Sequence, residues 1–181
     1  RSPSRGLGDV YKRQVYNCSL FDNNKVKCWG HANRIASGTT TNHIGDLGAE
    51  LGDNLSFLDF GAGRTVNQLA CGYNHACVIL DNETMKCWGV NNYGQLGIGN
   101  TTTIGDSPGE MGDNLKAVNV GTDRLVLSMS LGNEHSCAVL DDNAVKCWGR
   151  NTEGQLGLGH ITSMGTLDVT LGDSLPEVDT E

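Results

Sequence analysis

The sequence predicts an all-β fold of three consecutive antiparallel blades of the propeller type. Three observations carry that reading: the chain repeats itself about every 60 residues, six of its seven cysteines fall in pairs ten positions apart, and no window keeps a helical period over three turns. Gly52-Asp53-Asn54-Leu55 returns at Gly112 and, as Gly-Asp-Ser-Leu, at Gly172. Lys-Cys-Trp-Gly stands at Lys27, Lys86 and Lys146. Each unit reads as a short apolar stretch, Gly-x-x-His, a four-residue apolar strand, a polar turn, a second strand ending in Cys-Trp-Gly, and a glycine-rich turn. Short β-prone runs bounded by glycine and asparagine clusters imply strands rather than helices. The units run over about 15–62, 63–122 and 123–181.

The cysteines fix the register of each hairpin. Cys18 and Cys28, Cys77 and Cys87, and Cys137 and Cys147 lie symmetrically about Asn23, Asn82 and Asp142, each inside a polar turn sequence. Paired cysteines then face each other across an antiparallel ladder, where Cα atoms at a non-hydrogen-bonded position are about 4.5 Å apart, within disulfide range. One bridge per unit follows, each worth about 2–3 kcal/mol in the chain-entropy model. Cys71 is left as the single thiol outside the bridges. Although Cys71, His75 and Cys77 are close in sequence, the equivalent of Cys71 in the third unit is Leu131, and a bridged Cys77 is no thiolate ligand. No metal is expected there.

Other residue clusters read as architecture. His75 and His135 precede the first cysteine of their hairpins by two, with no nucleophile at a fixed spacing, and are expected to be hydrogen-bonding framework residues. Trp29, Trp88 and Trp148 follow a bridged cysteine, so they point to the opposite face and pack one sheet on the next. The Gly-Gln-Leu-Gly-x-Gly turns at Gly94 and Gly154 lack the helix and lysine of a phosphate loop, and demand positive φ instead. The Gly-Asp-Asn-Leu loops read as solvated turns. Of four acceptor sequons, at Asn17, Asn54, Asn82 and Asn100, Asn82 at a hairpin tip is the glycosylation candidate. No catalytic residue and no cofactor are expected.

Composition narrows the function further. One domain is the prior for 181 residues. Thirteen basic against twenty-one acidic side chains, a formal charge of −8, oppose a nucleic-acid backbone. Apolar runs are too short to span a bilayer. Residues 1–14 fall outside the repeat and carry four of the thirteen basic residues. That off-pattern leader lacks the apolar stretch of a secretory signal and reads as non-native, a cloning or transcript-adapter remnant, with a short native tail as the alternative. The native N-terminus and any targeting signal are then expected to be missing.

The string Gly72-x-x-His75-x-Cys77, the hairpin after it, Lys86-Cys87-Trp88-Gly89-Val90-Asn91 and Gly94-Gln95-Leu96-Gly97 resembles the repeat of the regulator of chromosome condensation family, and Gly132 to Gly159 restates it. In the first unit Ile35-Ala36-Ser37-Gly38 replaces the Gly-Gln-Leu-Gly turn. The resemblance implies a β-propeller of four-stranded blades, commonly seven, of which three units make a partial propeller or a fragment. It also implies diverse functions, from nucleotide exchange on a nuclear GTPase to inhibition, sensing and scaffolding. The exchange activity of that family depends on an inserted wedge, and no hairpin here has an insertion.

The expected function is therefore a non-enzymatic protein–protein interaction module, a structural or accessory subunit of a larger assembly. Three bridges place it in an oxidising compartment: extracellular space, secretory lumen, periplasm or an organelle lumen such as the thylakoid. Terminal sheets need cover from further sequence or from other protein subunits. The loops between Gly38 and Gly61 and between Gly97 and Gly121 form the expected contact surface, and their acidity favours a partner with a basic surface and salt-weakened binding. The alternatives are a regulatory propeller, acting as exchange factor or enzyme inhibitor, and a lectin-like propeller that stacks ligands on Trp88 and Trp148.

Overall fold

The structure, a computed structural model, describes residues 15–36, 38 and 43–179. The leader 1–14, Ser37 of the altered first turn and residues 180–181 lie outside the described residues. Among the described residues nine strands form three antiparallel sheets, each in chain order: β1 (Tyr16–Leu20), β2 (Val26–His31) and β3 (His43–Ile44); β4 (Val66–Cys71), β5 (His75–Leu80) and β6 (Met85–Gly89); β7 (Val126–Leu131), β8 (His135–Leu140) and β9 (Val145–Gly149). Helical structure among the described residues is confined to single 3-10 turns such as Gly112–Asn114.

The hairpin registers are those the cysteine symmetry predicts. Cys18 lies opposite Cys28, Cys77 opposite Cys87 and Cys137 opposite Cys147. Each turn closes with a pair of backbone bonds: Phe21 N–H to Lys25 O, Leu80 N–H to Thr84 O and Leu140 N–H to Ala144 O, all at 2.9 Å, with Asn24, Glu83 and Asn143 N–H returning to Phe21, Leu80 and Leu140 O at 2.9–3.0 Å. Its third residue is left-handed: Asn24 at φ 58°, Glu83 at 62° and Asn143 at 70°. Such a residue after a type I turn lets a three-residue loop match the twist of its strands, and asparagine tolerates it best.

The blades are leaner than the family resemblance implies. In the second and third sheets the fourth edge is reduced to single bridges, Lys86 to Ala117 and Gly89 to Ile104, then Lys146 to Glu177 and Gly149 to Met164. The reason is local: between the paired residues the chain turns through Gly112–Asn114 and Gly172–Ser174, which start at glycines with φ of 71° and 63° and cannot stay extended.

The core lies between sheets. β5 reads His-Ala-Cys-Val-Ile-Leu and is buried throughout, because both of its faces are covered. Ala76, Val78 and Leu80 pack with Tyr16, Val26 and Cys28 of the first unit, whereas Cys77 and Ile79 pack with Val126, Ala138 and Leu140 of the third. β8 buries only Ser136, Ala138 and Leu140, the side facing the second unit.

Candidate functional site

One position ties the first sheet to the second and the second to the third. His75 is wholly buried, and its Nε2 lies 2.8 Å from Ser136 Oγ of the third unit. The Ser136 hydroxyl donates to Gln95 O at 2.8 Å, and Trp148 Nε1 donates to the same carbonyl at 3.0 Å. Since Ser136 spends its proton on Gln95, its oxygen accepts from His75, which fixes the Nε2–H tautomer and leaves Nδ1 bare and without a partner. Burial, with His135 nearby, holds the His75 pKa down to about 3. In the first unit Tyr16 stands in the histidine's place and donates instead to Gly72 O, at 3.0 Å, and to His75 O. His135 holds the same position in the third unit and is partly buried, with its pKa lowered by burial.

The lysine of Lys-Cys-Trp-Gly is a second tie, which the sequence did not disclose. Lys86 Nζ donates to Phe60 O at 2.8 Å and Gly112 O at 3.0 Å. Lys146 Nζ repeats the pattern with Val120 O at 3.2 Å and Gly172 O at 2.9 Å, and Lys27 reaches Gly52 O at 2.7 Å. The Gly-Asp-Asn-Leu acids are also used: Asp113 accepts from Ala62 N–H, and Asp173 from the N–H and hydroxyl of Thr122. These loops are exposed, yet they are fastened rather than merely solvated.

The glycine turns explain the tryptophans. A Cβ on Gly97, at φ 67°, would sit 2.7 Å from Trp148 Nε1, and one on Gly94 would sit 2.4 Å from the Gly165 backbone. Trp88 and Trp148 are fully buried, so neither offers a face to a ligand ring, which removes the basis of the lectin-like alternative. Trp29 is half-buried. Trp88 Nε1 has no hydrogen-bond partner: the first unit carries Ile35-Ala36 where the second carries the Gln95 turn that receives Trp148.

The paired cysteines are bridged, each with Cα atoms 4.1 Å apart. Cys71 is the cysteine outside the bridges among the described residues; it packs beside Cys18, Cys28 and Tyr16, and burial pushes its thiol up to about 11. Asn82 is exposed at its hairpin tip, with Oδ1 accepting from the Thr84 hydroxyl at 2.7 Å. Asn54 Nδ2 is instead committed to Ala49 O, while Asn100 Oδ1 accepts from Thr102 N–H much as Asn82 Oδ1 does from Thr84.

The described residues hold no cluster of three or more His, Cys, Asp or Glu set to bind a metal ion. No helix among them is long and apolar enough to cross a membrane. A cavity of about 440 Å³ in the first unit, reached by Met111 of the second, is lined by Ile35, Ile44, Leu55 and Phe57, with Ser56 and Glu50 among its polar groups. No histidine lines it to activate Ser56, and Glu50 is held ionised by the N–H groups of Gly45 and Leu47. Buried His75, neutral until far below physiological pH, is unsuited to proton transfer.

Repeated sheets, bridged hairpins and a side-chain tie from each sheet to the next define a partial β-propeller. Residues 66–95 and 126–155 match one family model of the Regulator of chromosome condensation (RCC1) repeat, and 87–139 match another. Residues 66–155 are repeats of this family, in a disulfide-bonded variant. The chain is 28% identical over 158 residues to the human probable E3 ubiquitin-protein ligase HERC6, a match covering 87% of this chain and 14% of that protein. Human WBSCR16 superposes with a TM-score of 0.65 at 21% identity, over 92% of this chain and 38% of its own. Prp20p of Saccharomyces cerevisiae gives 0.60 at 21% identity, over 93% and 35%. The chain thus spans about a seventh of HERC6 and little more than a third of each solved relative.

Proposed function

We propose that the chain is a non-enzymatic interaction module, a structural or accessory subunit of a larger protein assembly in an oxidising compartment. The observation that carries this reading is where the motif side chains are spent. Tyr16, His75, Lys86, Lys146 and Trp148 join one unit to the next, and besides its hairpin tip each unit leaves outward much of its loop, over 43–61, 103–121 and 163–179. Function on rigid scaffolds concentrates in such loops. The yeast relative Prp20p is described with binding properties to Gsp1p and histones, which supports protein partners for this fold. Three bridged hairpins support the oxidising compartment. In such a compartment on a glycosylating route, Asn82 is the glycan acceptor.

The test is size-exclusion chromatography with mass spectrometry on the protein from its native source. Co-elution with other subunits is expected. A stable, monodisperse species of this chain alone overturns the assembly reading.

A further inference from the structure

The structure assigns an anchor to this loop surface: we infer that the apolar tips at Leu47 and at Leu167 and Val169 take a partner segment that sets apolar side chains among lysines and arginines. The inference rests on the interaction-module reading and specifies its contact.

The three loops are built alike from different residues. Glu50 Oε2 accepts from Gly45 N–H at 2.8 Å and Leu47 N–H at 3.3 Å, and Glu110 Oε2 accepts from Gly105 N–H at 2.8 Å and Ser107 N–H at 3.0 Å. In the third unit Thr170 replaces the glutamate, its hydroxyl oxygen accepting from Gly165 N–H at 3.0 Å while its proton goes to Leu167 O at 2.7 Å. From the other side Asn54 Nδ2 holds Ala49 O, and Asn114 Nδ2 holds Gly109 O. Each tip is thereby fixed before any partner arrives, which lowers the ordering cost of binding.

What the fixed tips present differs by unit. Leu47 is 63% exposed, Leu167 59% and Val169 75%. Large apolar groups pinned outward in this way mark contact sites when they recur in one surface. The middle loop presents Ser107, Pro108 and Gly109, all exposed and small, so an approaching chain meets low ground between the flanking tips. The loops of consecutive units are neighbours: Gly112 N–H donates to Asp59 O at 3.0 Å, and Gly172 N–H to Asn119 O at 3.1 Å.

Charge selects the occupant. Residues 43–61, 103–121 and 163–179 hold eleven carboxylates and one lysine, Lys116. Lys86 beside Asp59 and Asp113, and Lys146 and Arg124 beside Asp173, offset only part of this charge. An anionic lipid surface or a nucleic acid is repelled there, and a purely apolar segment gains nothing from the acidic surround. A basic segment with apolar anchors satisfies both features.

The probe is a fluorescein-labelled peptide of leucine and lysine in amphipathic order, compared by anisotropy with a lysine and serine peptide of equal charge. The expected result is binding of the leucine and lysine peptide that weakens with salt and falls about tenfold in the triple variant Leu47→Ser, Leu167→Ser, Val169→Ser. These side chains are exposed, so the variant keeps the parent's near-ultraviolet circular dichroism. Equal binding of both peptides, equal binding by parent and variant, or no binding overturns the inference. The assembly reading is judged separately: a chain that is solitary in its native source yet binds the peptide loses the assembly and keeps the anchor, and a chain in an assembly that the triple variant still enters loses the anchor alone.

Discussion

His75 and Ser136, sixty-one residues apart, share a buried hydrogen bond of 2.8 Å that joins the second sheet to the third. The imidazole is neutral in the fold, and a proton added to it has no acceptor at Nδ1.

Acid should therefore loosen this seam before it touches the carboxylates. The unfolded histidine titrates near pH 6.5 and the folded one near 3, so its contribution is complete above pH 6.5 and is lost progressively as pH falls from there toward 3. Between pH 7.5 and 5 the loss should be about 2 kcal/mol. His75→Gln keeps a donor for Ser136 but cannot titrate, and its denaturant midpoint should fall less over the same range. Parallel pH responses of parent and variant would refute the assignment.

Two tryptophans at equivalent positions should respond unequally to the same change. Trp148→Phe removes the donor to Gln95 O, whereas Trp88→Phe removes an N–H that has no partner. The first should cost at least about 1 kcal/mol more than the second in urea unfolding. Equal costs would mean that the altered first turn makes no energetic difference.

Glycines at equivalent turns separate backbone strain from contact between units. Gly154 has φ 73° and open space around its missing Cβ, so Gly154→Ala should cost about 1–2 kcal/mol from conformation alone. Gly94 has φ 78° and faces the Gly165 backbone at 2.4 Å, so Gly94→Ala should cost distinctly more. Thermal unfolding of the two variants reads the difference.

Thiol labelling tests the bridges. Under denaturing, non-reducing conditions one cysteine, Cys71, should react; seven reactive thiols would exclude the paired state. In the folded protein the same thiol, with its pKa raised to about 11, should alkylate slowly at neutral pH and faster as pH rises.

The hairpins were legible in the sequence because strand pairing has a period of two and a symmetric centre: Cys77, Cys87 and the turn at Asn82 determine one another. The glycine turns were legible because positive φ leaves a chemical mark. Lys86 was not, because its partners are backbone carbonyls of Phe60 and Gly112, and a carbonyl has no sequence signature. The thinned fourth edge escaped for a similar reason, since β propensity does not say whether a 3-10 turn at Gly112 will interrupt the pairing. The loop tips escaped because the third unit swaps the capping Glu110 for Thr170, and only geometry shows that the two do the same work.

The placement of the bridges also sets how the chain yields to a pulling force. Each bridge spans ten sequence positions inside one hairpin, and none crosses from one sheet to another. Stretched from its ends, the protein should part at the seams held by His75, Lys86 and Trp148 while every hairpin stays shut. Each closed hairpin withholds roughly 30 Å of contour length. Adding reductant should lengthen each step in a force-extension trace by that amount.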